Sequence, residues 1–106
     1  MDYLKHDQAL IFKKDTVVAH EYPTKNKIIN NSFIEIKGRY PQEGWAYNEV
    51  CIESVFIIRG SVVLTTKTES VILEKNDTAI IDPNERYFFE GDCDMVSPSS
   101  PTWYPE

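Results

Sequence analysis

A chain of 106 residues, 42% hydrophobic and 26% charged, reads as one globular domain, too short for two and too apolar for a disordered segment. A net charge of −6 with no clustered basic face sets the surface against phosphate backbones and argues against nucleic-acid partners. No apolar run approaches the roughly 20 residues that span a bilayer. Residues 1–7 are charged rather than apolar, so a cytoplasmic protein without membrane attachment is expected.

Strand signals dominate from the start. Gln8 to Phe12 and Thr16 to His20 read as the first two strands. In Phe33-Ile-Glu-Ile-Lys37 the alternation puts Ile34 and Ile36 on one face and Glu35 and Lys37 on the other. Val50 to Ile58 is β-branched and aromatic-rich. Gly60-Ser61 marks a turn into Val62 to Thr66, and Thr68 to Ser70 a turn into Val71 to Leu73. Asn76-Asp77 precedes Thr78 to Ile81, Pro83-Asn84 breaks that strand, Arg86 to Phe89 resumes, and Gly91-Asp92 turns the chain again. No segment carries a sustained helical period. Short, evenly spaced strands predict an all-β sandwich or barrel across residues 1–106, with a Pro-rich extended tail from about residue 97. Trp103 in that tail is too large to leave wet and is expected to pin it to the barrel or to a second subunit.

Chemistry concentrates between Trp45 and Tyr87. Along a straight strand Tyr47, Glu49, Cys51 and Glu53 share one side, opposite Val50, Ile52, Ser54, Phe56 and Ile58. Two placements follow: the apolar side is the core and the Glu side faces water, or the carboxylates line a polar pocket with Arg39, Arg59 or Arg86 as partners. At about 3.3 Å per residue Glu49 and Glu53 lie about 13 Å apart unless the chain bends between them. A carboxylate desolvated beside aromatics has its pKa raised and suits proton transfer. Cys51 and Cys93 lack metal or redox spacing and read as free thiols. His20 reads as an ordinary strand histidine.

Glu53-x6-Gly60 and the stretch Lys75 to Asn84 together resemble the cupin superfamily, whose metal-binding members carry Gly-x5-His-x-His-x(3–4)-Glu-x6-Gly and Gly-x5-Pro-x-Gly-x2-His-x3-Asn. Asn76 stands where the second motif opens on Gly. The two regions cover Gly38 to about Phe89, and the ending Pro101-Thr-Trp103-Tyr-Pro105-Glu106 is similar to the tails of small stand-alone cupins. The resemblance implies an RmlC-like jelly-roll β-barrel that pairs through its sheets into a homodimer. It also implies a pocket at the motif positions. There the histidines are replaced: the first pair falls on Tyr47 and Glu49, or on Ala46 and Asn48, and the last on Tyr87 or Phe88. Transition metals want imidazole or thiolate ligands. The expectation is therefore a small-molecule pocket lined by Tyr47, Glu49, Glu53 and Tyr87, with Trp45 as floor or lid and no metal cofactor. A cupin enzyme with a Glu-rich site, acting on a sugar-like or carboxylate substrate with or without a divalent ion, is the alternative. A dimeric regulator acting through its surface and tail is another.

Overall fold

The computed structural model describes residues 1–104; Pro105 and Glu106, the end of the expected tail, lie outside the described residues. A single 3-10 turn, His6–Gln8, precedes eight strands. They are β1 (Leu10–Lys14), β2 (Val17–Tyr22), β3 (Asn31–Tyr40), β4 (Ile52–Thr66), β5 (Ser70–Glu74), β6 (Thr78–Ile81), β7 (Tyr87–Val96) and β8 (Ser99–Ser100). All pair antiparallel in the order β1-β2-β3-β7-β4-β5, with β6 and β8 joining the first half of β4. The sheet curls on itself, and its inner face holds the core: Ile36, Val55, Ile57, Val62, Leu64, Leu73, Ile81, Phe89, Cys93 and Met95. Among the described residues no helix is long and apolar enough to cross a membrane.

Two of the expected turns are not turns. Gly60-Ser61 lies inside β4, which runs unbroken for 15 residues. Gly91-Asp92 lies inside β7, unbroken for 10. The glycines mark a bend in paired strands. Ile57 faces Met95 and Arg59 faces Asp94, so Ile58 is an extra residue opposite no partner, a β-bulge. Gly60 follows it with φ +77°, and a Cβ there would run into the carbonyl oxygen of Asp92. Only glycine meets both demands. The bulge also reverses parity. Cys51, Glu53, Val55 and Ile57 point inward before it, and Val62 and Leu64 after it.

That settles the two placements for the first half of β4. The side carrying Glu53 is the interior. Val50, Ile52, Phe56 and Ile58, which read as a possible core face, are exposed. On β3 the expected alternation holds. Ile36 is buried and Lys37 exposed on β3. Asn76 takes φ +74°, the left-handed region its motif position reserves for glycine. The tail is extended, and Ser99 and Ser100 pair with Glu53 and Ile52 as β8.

Candidate functional site

Alternation along four strands converges on one cavity of about 440 Å³. On β2, Val17, Ala19 and Glu21 line it. On β3 it is Ser32, Ile34, Ile36 and Tyr40, on β4 Glu53 and Val55, and on β7 Tyr87, Phe89 and Met95. Register makes this possible. Glu21 pairs with Ser32 across β2 and β3, and Tyr40 with Phe89 across β3 and β7. Residues far apart in sequence thus share an inner wall. Phe12, Trp103 and the exposed Lys14 complete the lining on the side of β1 and the tail.

The polar groups hold one another. Tyr87 Oη donates to Glu53 Oε2 at 3.2 Å, and Ser32 Oγ donates to a Glu21 carboxylate oxygen. Burial pushes the Glu53 carboxyl above the ordinary carboxylate range, and the charge of Glu21 pushes the same way, while the Tyr87 hydroxyl opposes both. Burial raises Glu21 too, against the Ser32 bond. The phenols of Tyr40 and Tyr87 are raised by burial and then by the Glu53 charge. These groups therefore hold their protons unusually tightly. Such a wall can both donate and accept hydrogen bonds.

The expected site residues divide. Glu53 and Tyr87 face the cavity and bond to each other. Tyr47 is 47% exposed, with the Arg86 guanidinium stacked 3.6 Å over its ring. Glu49 is exposed. The chain does bend there, because Asn48 Oδ1 accepts from the Val50 and Cys51 N–H groups, but the bend turns Glu49 to solvent rather than toward Glu53. Trp45 packs edge-on against Phe88 under Lys67, away from the lining. The proposed arginine partners are elsewhere. Arg39 caps Pro41 and Gly44 carbonyls, Arg59 binds Asp92 and Asp94, and Arg86 binds the Asn84 carbonyl. Sequence reasoning missed Glu21, Ser32 and Tyr40. Extending the inward alternation of Val17 and Ile36 to the strand ends reaches all three.

A divalent transition metal does not fit this wall. The cavity offers two carboxylates, two phenols and serine hydroxyls, with no imidazole or thiolate. His20 points outward to Glu35 at 3.0 Å. The Cys51 thiol donates to the Pro101 carbonyl, and Cys93 is sealed in the core with its thiol pushed up to about 11 by burial. Among the described residues no three His, Cys, Asp or Glu side chains converge.

No protein-family model matches the chain, and no curated protein does. Solved structures match closely in shape. Pac13 of Streptomyces, a nucleoside dehydratase also seen with uridine, aligns at 16% identity with a TM-score of 0.84 over 94% of this chain and 82% of its own. KdgF from Halomonas sp. aligns at 11% identity and TM-score 0.76, covering 95% of each chain. An RmlC-like cupin from Shewanella frigidimarina aligns at 12% identity and TM-score 0.75, over 94% of this chain and 90% of its own. At such identities the likeness speaks for architecture, and the chain has the jelly-roll barrel fold of the cupins.

Proposed function

We propose that the chain is a metal-independent cup for a small, uncharged, hydroxyl-bearing molecule. One observation carries this. Glu21, Glu53, Tyr40 and Tyr87 converge on a single cavity, and among the described residues the one cationic side chain lining it is the exposed Lys14. Its volume of about 440 Å³ falls within the roughly 300–1,000 Å³ of small-molecule sites. Hydroxyls satisfy carboxylates and phenols reciprocally, whereas an anion finds two acids and little positive charge. Calorimetric titration at pH 7 with uridine and D-ribose, beside elemental analysis of the same sample, tests it. Saturable binding with one site per chain, lost in Glu53→Gln, is expected. Stoichiometric zinc, iron, nickel or manganese with no binding of either probe would remove the proposal.

A second reading is proton-transfer catalysis in the same cup. Its support is the buried Glu53 carboxyl hydrogen-bonded to Tyr87, together with the similarity in fold to a nucleoside dehydratase. Loss of water from a substrate needs a base to take a proton from carbon and an acid to protonate the departing hydroxyl. Glu53 and its neighbours Glu21 and Tyr87 provide such a set. The mark of this reading is slow loss of water from a bound hydroxylated probe, followed by mass spectrometry and absent in Glu53→Gln.

A further inference from the structure

The C-terminal strap crosses the segment between β2 and β3 and is fastened along its length. The Thr102 N–H donates to the Lys27 carbonyl at 3.1 Å and its hydroxyl to the Asn26 carbonyl. The Trp103 N–H donates to Asn30 Oδ1 at 2.9 Å, and Tyr104 Oη to the Thr24 carbonyl at 3.3 Å. These ties deliver the Trp103 ring to the cavity, where it meets Phe12 of β1 edge to face, centroids 6.2 Å apart. Phe12 is 43% exposed on an edge strand. In an edge-to-face pair the ring that offers its edge keeps both faces free, whereas stacking covers one face of each ring. Asn30, 4% exposed, lies outside the lining and anchors the strap through its Oδ1.

We infer that Trp103 and Phe12 form an aromatic subsite for a flat ring, so that the ligand class is a planar unsaturated ring joined to a hydroxyl-rich part held by Glu21 and Glu53. The inference rests on the small-molecule reading above and deepens it. The two ends of the cavity divide the work. Ring faces stack flat unsaturated groups with little regard to substituents, and the acid–phenol wall takes the hydroxyls.

Two probes separate the ends: uridine, which has both parts, and D-ribose, which has only the hydroxyls. In a nitrogen-15 spectrum the chain shows two indole resonances, Trp45 and Trp103, assigned by the Trp103→Leu variant. Uridine is expected to move the Trp103 resonance and leave Trp45 in place, and ribose to move neither. Trp103→Leu should weaken uridine about tenfold, the scale of one lost stacking contact, and leave ribose within about twofold. Trp103→Phe, which keeps a ring on the strap, should recover most of the loss and guards against simple unfolding. If Trp103→Leu binds uridine as the parent does while Glu53→Gln still loses it, the aromatic subsite is wrong and the polar cup stands. If neither probe binds the parent chain, the cup reading falls and takes the subsite with it.

Discussion

The inner and outer walls of this barrel treat carboxylates in opposite ways. Outside, Asp92 and Asp94 grip Arg59 at 2.7 and 2.9 Å on the surface, and the bond to Arg59 holds the Asp92 carboxyl below the ordinary range. Inside, Glu21 and Glu53 sit with hydroxyls and phenols, and burial drives both upward. The apolar residues of the first half of β4 are reversed in the same sense. Ile52, Phe56 and Ile58 face out, while Glu53 faces in. A wall built only for stability would place them the other way round. The difference sets the polar interior near Glu53 apart from the stretch after the bulge, where Val62 and Leu64 point inward as ordinary core.

The hinge between those two stretches is where the contrast breaks most easily. Gly60→Val adds a β-branched side chain at φ +77° and drives its Cβ into the Asp92 carbonyl. The backbone conformation alone costs about 1–3 kcal/mol, and the clash adds to it, for a loss of roughly 3–5 kcal/mol. Urea denaturation measures this. A loss under about 1 kcal/mol would mean that β4 does not bend as described.

Neighbouring residues on the two faces give the next largest effect. Ile57 is 0% exposed and Ile58 is 39% exposed. Ile57→Ala should cost about 2–4 kcal/mol through lost contacts and the cavity left behind. Ile58→Ala should cost less than about 1 kcal/mol. Equal costs would erase the assignment of inside and outside. A loss at Ile58 that depends on protein concentration would instead place a second copy over the outer face.

How much of this was legible follows from the range of each signal. The alternation of β3 and of Val50 to Ile58 was readable, because strand parity is local. Which side of β4 faces in was not, since a polar pocket inverts the usual link between apolar and buried. Gly60 and Gly91 misled because a glycine suits a tight turn and a bulged bend equally. Motif spacing led to Glu53 and Tyr87, which meet in the cup. It also led to Tyr47 and Glu49, which the Asn48 turn leaves outside. Glu21, Ser32 and Tyr40 stand at strand ends, and only the order β2-β3-β7-β4 brings them to Glu53. That order is not written in any local pattern.

The pH dependence of stability sharpens the contrast between the walls. A carboxyl with a raised folded-state pKa binds more protons folded than unfolded once the pH passes the ordinary carboxylate range. Stability from Glu21 and Glu53 is therefore complete at low pH and lost as pH rises through their folded values. Gln mimics the protonated form. Glu21→Gln or Glu53→Gln should then raise stability at pH 8, on the order of 1 kcal/mol, and change little at pH 4. Urea midpoints across pH 4–8 read this directly. A destabilised Gln variant at pH 8 would show that a cation balances the pair.

The smallest effect is expected outside, at Arg59. Its pairs with Asp92 and Asp94 lie in water, where salt screens them and the fixed side chains lose conformational freedom. Arg59→Ala should leave the urea midpoint at pH 7 almost unmoved, and unmoved altogether in 1 M salt. What it should change is the acid side. Asp92 is held low by Arg59, so its contribution is present at neutral pH and lost as pH falls through its folded value. Without Arg59 that part of the acid slope should vanish, while the opposite slope from Glu21 and Glu53 remains. A midpoint loss at pH 7 rivalling that of Ile57→Ala would mean that the outer charges hold the bulge in place, and the two walls would no longer be independent.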